Sequence, residues 1–215
     1  MPKLKNLRII NAQFNEGKGI YQDFLMPFDG LSATYELVNG GGKSVLVMLL
    51  LQCIIPKSHL DSKKPFKAMF EGGDPNRTTH VLAEWELDEG LYEHKYLLTG
   101  FCAKKKDDPD DLLESGGVNH FSYIHLYDKS NDLDIFRIPL CRWENNEFVV
   151  MDFSKTLSML KEKSGDFNIW ITETIREYKE RIKEYNLLEA EWRLVQSINK
   201  DENYLKTYFG GNYGT

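Results

Sequence analysis

The stretch Asn39-Gly40-Gly41-Gly42-Lys43-Ser44, running straight into Val45-Leu46-Val47-Met48-Leu49-Leu50-Leu51, decides how the chain is read. Three consecutive glycines let the backbone turn its N–H groups inward and approach an anion closely. The apolar run after them has no breaker from Val45 to Ile55 and stops at Pro56, as a buried helix would. Loop amides and the positive end of a helix dipole together favour phosphate. Lys43 supplies a cation for the β- and γ-phosphates of a nucleoside triphosphate, and the Ser44 hydroxyl suits Mg2+. The expected nucleotide-binding set is Asn39, Gly40, Gly41, Gly42, Lys43, Ser44 and Val45, with Ser44 also on the metal and ATP with Mg2+ as cofactors.

Context matters for such a loop, and strand–loop–helix is the required one. Ala33–Val38 is a short extended run leading into it. One residue departs from the full pattern: Leu37 stands where a glycine five residues before Gly42 is expected. The plain alternative is a glycine-rich turn followed by a chance Lys-Ser.

Working outward, the first half reads as strands bounded by turn residues. Leu7–Phe14 and Tyr21–Phe28 flank a turn at Asn15–Gly19. Thr79–Leu87 and His94–Ala103, rich in β-branched and aromatic residues, flank Asp88–Gly90 and predict a hairpin. Phe121–Asp128, Asp134–Cys141 and Phe148–Met151 are further strand candidates. Residues 57–77 and 104–119 read as loops or insertions. From Ile169 to Ile198 apolar residues recur at steps of three and four, between mixed Glu, Arg and Lys. That predicts a long amphipathic helix, either covering a sheet or beginning a coiled-coil arm. Gly210 to Thr215 are glycine-rich and read as a flexible end, as though the chain continued.

A chain of 215 residues with 41% apolar composition can bury a core as one domain. Its 27 basic against 33 acidic residues give a net charge of −6, unlike a free-standing DNA-coating protein. Cys53, Cys102 and Cys141 have no paired spacing and predict a reducing compartment. No apolar run nears the ~20 residues that span a bilayer, and the N-terminus lacks a signal peptide's apolar stretch, so a soluble, cytoplasmic protein away from membranes is expected. His59, His80, His94, His120 and His125 show no ligand spacing.

Three other segments read as structural. Ser115-Gly116-Gly117 has the look of an ABC ATPase signature segment, but it runs directly into an extended pattern and leaves no room for the required helix. Asp152 ends an apolar run as a magnesium-side aspartate would, yet Phe153 follows where an ABC site has Glu, and Asn145–Asn146 suggest a hairpin. Lys104-Lys105-Lys106 is offset at once by Asp107, Asp108, Asp110 and Asp111.

The run Asn39-Gly40-Gly41-Gly42-Lys43-Ser44 resembles the Asn-Gly-x-Gly-Lys-Ser phosphate loop (Walker A) of SMC proteins. The continuation, with its Ile55-Pro56 pair, a polar insertion and a two-stranded segment, is similar to the MukB and JetC branch of that superfamily. The resemblance implies an α/β fold, a P-loop NTPase of the ABC and SMC head type. Residues 1–168 would form an N-terminal lobe with a mixed sheet, and 169–209 a long helix leading toward a coiled coil. It also implies partners: the C-terminal half of the same head, a second head in a dimer, DNA, and kleisin-like or other accessory subunits. The signature segment, magnesium aspartate and catalytic glutamate would lie in the C-terminal half, so no catalytic residue is expected here. SMC heads also present a glutamine to the magnesium and attacking water, but this chain has none between Gln52 and Gln196, and no residue takes that role.

The function so implied is ATP binding by half of a DNA-associated ATPase head, in chromosome maintenance or in defence against plasmids and phage. Two alternatives come from other classes. One is a self-sufficient P-loop kinase or NTPase using Asp152 or Asp128. The other is a non-enzymatic module that grips a partner through the Ile169–Ile198 helix. The remainder of the open reading frame separates them. A downstream coiled coil of several hundred residues, then Leu-Ser-Gly-Gly and an apolar strand ending Asp-Glu, is the outcome expected from the head reading; an unrelated continuation contradicts it.

Overall fold

In the computed structural model, β-branched and aromatic runs form one six-stranded sheet. Residues 2–15, 17–31, 35–36, 42–58, 66–70, 77–106 and 117–188 are described, with backbone only at 67 and 68. The strands are β1 (Lys3–Phe14), β2 (Gly19–Pro27), β3 (Thr78–Glu86), β4 (Tyr96–Lys105), β5 (Val118–Tyr127) and β8 (Asn168–Thr172). Their order is β2-β1-β3-β4-β5-β8, and every pairing is antiparallel. The fold is α/β as expected, but the parallel pairs of a mixed sheet are absent among the described strands: β1–β2 and β3–β4 are hairpins, which need no crossover, and the longer connections to β3 and β8 also return antiparallel. The expected hairpin across Asp88–Gly90 is present as β3 and β4.

β3, β4 and β5 are buried almost without interruption, as strands covered on both faces are. Alternate residues divide between two cores. Leu7, Ile9, Val81, Ala83, Trp85, Leu97 and Phe101 face one side, where α1 (Lys43–Gln52), a short 3-10 helix (Phe66–Met69) and α3 (Ile175–Lys183) pack. Ile10, Leu82, Leu98, Cys102, Phe121 and Tyr123 face the other, beneath α2 (Phe153–Lys163) and the turns of residues 129–140. Several polar groups inside are matched, while the Tyr123 hydroxyl and His80 Nδ1 are buried without a hydrogen-bond partner among the described residues. Glu84 accepts from Asn6 Nδ2 at 2.5 Å and from the Tyr127 hydroxyl, and Trp85 Nε1 donates to Thr99 Oγ1 at 2.8 Å. Arg8 forks onto Asp23 across the β1–β2 pair at 2.8 and 2.9 Å and donates to the Ile135 carbonyl at 2.8 Å, pinning the 129–140 segment to the sheet.

Two strand candidates come out differently. Of Asp134–Cys141, residues 134–140 are turns and irregular backbone, and only Cys141 enters a strand. Buried Asp134 accepts from Ser130 Oγ, Asn131 N, Phe136 N and Arg137 N, which folds the backbone around one carboxylate. Phe148–Met151 contributes β7 (Glu147–Val150), which pairs with β6 (Cys141–Glu144) as a separate hairpin. Asn145 and Asn146 supply its turn at φ 49° and 65°, the positive values that a tight hairpin turn requires.

The long helix expected from Ile169 is also corrected. Ile169 and Ile171 belong to β8, at the period of two that lays a strand along β5. The helix that follows, α3, has nine residues. Thr172 Oγ1 accepts from Thr174 N and donates to Glu177, fixing its start. Asn186, at φ 59°, ends it, with Leu187 N donating back to the Ile182 carbonyl. The rest of the expected helix, from 189 onward, and the 210–215 end lie outside the described residues.

His80 is fully buried, its Nε2 proton donated to the Met151 carbonyl at 3.0 Å, and burial pushes its pKa down to about 4. The unfolded chain, with an ordinary histidine near 6.5, binds the extra proton first as pH falls. Stability conferred by neutral His80 is therefore complete above about pH 6.5 and is lost toward pH 4. Urea denaturation should show about 2 kcal/mol less stability at pH 5 than at pH 7 from this group. Equal stability at the two values would contradict a buried neutral His80.

Candidate functional site

A helix that is apolar all round belongs inside a protein, and α1 is one. Leu46, Met48, Leu49 and Leu51 are buried in the first core, with Val45, Val47 and Leu50 half-buried against it. Its far end is secured twice. Fully buried Gln52 donates to the Met48 and Ser58 carbonyls at 2.8 and 2.9 Å and accepts from Lys57 N at 2.7 Å. The Tyr178 hydroxyl of α3 donates to the Cys53 carbonyl at 2.6 Å.

The near end is where the sequence places the phosphate loop. Gly42 caps α1 in the left-handed region, φ 80° and ψ 19°, and its carbonyl accepts from Leu46 N at 3.0 Å. A left-handed residue beside a right-handed one orients successive N–H groups into a concavity that suits anions. The amides of a first helical turn have no acceptor within the helix. Gly42 has no side chain with which to cap them, and the first turn holds no acidic residue. Lys43 and Ser44 are exposed on that turn. Of the expected set, then, Gly42, Lys43, Ser44 and Val45 stand together at one helix start. Asn39, Gly40 and Gly41 lie outside the described residues, as does most of the Ala33–Val38 run; its Tyr35 and Glu36 are not in a strand.

Gly42 rests on the end of the β1–β2 hairpin. A Cβ at this position would come within 2.6 Å of Tyr21 Oη and 2.9 Å of Phe14 Cγ. Phe14 and Tyr21 lie 4.6 Å apart between ring centroids, and Tyr21 stacks on Phe24 at 5.1 Å. Sequence reasoning missed these rings, since nothing in the spacing of Phe14 and Tyr21 links them to residue 42. The fit to a phosphate rests on this cradle: a left-handed glycine that a side chain would fill, an ammonium and a hydroxyl at the start of a helix. Mg2+ typically keeps several waters and takes few protein ligands alongside phosphate oxygens, so a single serine hydroxyl suits it.

The two aspartates of the alternative reading are occupied elsewhere. Asp152 caps α2 on the opposite face of the sheet from α1, accepting from Lys155 N at 2.8 Å. Asp128 lies beyond β5, at the sheet end remote from Gly42. It accepts from His94 Nδ1 at 3.1 Å and Lys95 N at 2.9 Å, contacts that hold its pKa below the usual carboxylate value. Two shallow clefts occur away from Gly42. One, of about 450 Å3, runs along α3 between Trp170, Arg176, Glu177, Glu180, Arg181 and Glu184. The other, of about 320 Å3, lies by Tyr92, His94, Asn168 and Tyr185. In the first, Arg181 is paired with Glu184 at 2.7 Å and Glu177 accepts from Thr172 Oγ1. Among the described residues no group of three or more His, Cys, Asp and Glu is placed to hold a metal, and no helix is long and apolar enough to cross a membrane.

No protein-family model matches the chain, and no curated protein matches it in sequence.

Gly42→Ala should combine left-handed strain with a clash against two rings. The expected loss is about 1–3 kcal/mol in urea denaturation. An unchanged midpoint would contradict the seating of Gly42.

Proposed function

We propose that the chain is the ATP-binding N-terminal half of an SMC-like, DNA-associated ATPase head, acting in chromosome maintenance or in defence against plasmids and phage. One observation carries the reading: a left-handed glycine caps an apolar helix whose first turn carries Lys43 and Ser44, both exposed. In this reading the backbone amides after Gly42 hold phosphate oxygens, Lys43 neutralises charge at the β- and γ-phosphates, and Ser44 Oγ holds the Mg2+ that bridges them. Bound Mg2+ supplies charge neutralisation for phosphoryl transfer. The burial of α1 and the two ties at its far end keep these groups in one geometry, so little ordering is needed on binding.

What this chain's described residues offer is binding and orientation. Charge developing on a transferred phosphoryl group needs further donors, and the partners proposed for that are the C-terminal half of the head and a second head. DNA and kleisin-like accessory subunits belong to the same proposal. The self-sufficient kinase or NTPase reading is weaker, because Asp152 and Asp128 are committed to other contacts. The interaction-module reading loses support too, since Tyr178 and Ile182 of α3 are already buried in the core.

Calorimetric titration of the chain with Mg·ATP tests the reading. The wild type should bind and Lys43→Ala should not, with turnover by the chain alone close to nil. Equal affinity of the two proteins would remove the basis of the proposal.

A further inference from the structure

Resting on that reading, we infer that Tyr21 is a positioning residue of the phosphate site, its hydroxyl tip being part of the floor that holds Gly42 in the left-handed conformation. Gly42 is the hinge at which the loop becomes a helix, and its φ of 80° decides where the next amides point. A conformation of that kind persists only where its surroundings over-determine it. The surroundings here are two side chains of the β1–β2 hairpin, with Tyr21 the closer: its Oη lies 2.6 Å from the position a Cβ on Gly42 would take.

The hairpin is built to keep that ring in place. Tyr21 pairs with Ala12 across the β1–β2 ladder, so its backbone is fixed by sheet register rather than by a loop. Its ring is held between Phe14 and Phe24, at 4.6 and 5.1 Å, and the residue is only 8% exposed. Gly19 lets Phe14 adopt this position: a Cβ there would fall 2.3 Å from the Phe14 ring, which would have to shift to admit it. Aromatic pairs of this kind add stabilisation beyond their buried area, which holds the row in place. Gly42 is thus set against the Tyr21 hydroxyl and the Phe14 side chain, both held by the hairpin. Removing the ring frees Gly42 to sample the right-handed region, which glycine does readily. The first-turn amides then lose their common direction, and anion affinity falls without any loss of a group that touches the anion.

The test uses the full chain with Tyr21→Phe, Tyr21→Leu and Lys43→Ala, each titrated with Mg·ATP and each melted by circular dichroism. Tyr21→Phe keeps the ring but removes the oxygen that meets Gly42, and should weaken Mg·ATP binding at least threefold. Tyr21→Leu keeps apolar volume in the hairpin but not the flat ring, and should weaken Mg·ATP binding at least tenfold at a temperature where its melting curve shows it fully folded. Binding by folded Tyr21→Leu equal to wild type would overturn the inference. Should Tyr21→Leu prove unfolded, Tyr21→Met is titrated in its place under the same criterion. Lys43→Ala separates the two failures. If it abolishes binding while folded Tyr21→Leu binds normally, the positioning role falls and the phosphate site stands. If Lys43→Ala binds like wild type, both fall.

Discussion

The left-handed turn at Gly42 is the constraint on which the site depends. Only a residue without Cβ can combine φ 80° with the approach of Tyr21 and Phe14, so one glycine couples the start of α1 to the β1–β2 hairpin. An anion site made of amides is a matter of direction more than of charge, because each N–H contributes only when aimed at the same point. The sheet supplies the fixed direction. β1 lies inside the sheet between β2 and β3, and the Arg8–Asp23 pair on its other face ties the hairpin to the turns below.

The rest of the molecule holds α1 as a rigid body. A ten-residue helix would be marginal alone in water, so its existence reports burial rather than propensity. Burial is complete enough that even Gln52 satisfies its amide within the chain, closing the turn to Ser58. Tyr178 then bonds the last carbonyls of α1 to α3. The start of α1, where nucleotide is proposed to bind, and the α3 segment at the other end are therefore joined by a single stiff element.

Much of this was legible in the residues. The five long strands coincide closely with the β-branched and aromatic runs, because a strand buried on both faces is written as a nearly continuous apolar string. α1 was legible from its uninterrupted apolar run and the proline after it. Residues 134–141 were not, since Leu133, Ile135, Ile138 and Leu140 look like strand while the folding signal is one buried carboxylate at Asp134. β8 and α3 were merged into one helix, because Ile171 and Ile175 lie four apart and mimic helical spacing across the capping turn at Thr172–Thr174. α2 went unseen, its N-cap Asp152 having been weighed as the end of a strand. At the site, Lys43 and Ser44 were readable as chemistry. The aromatic floor was not, because it is assembled by the β1–β2 register from residues more than twenty positions upstream of the glycine.

Backbone amide resonances followed during titration with Mg·ATP test the central claim most directly. The largest shifts should fall on Gly42, Lys43, Ser44 and Val45, with Tyr21 and Phe14 next and the end of α1 barely moved. Shifts concentrated instead around His94, Asn168 and Arg181, with the amides of residues 42–45 unchanged, would contradict it.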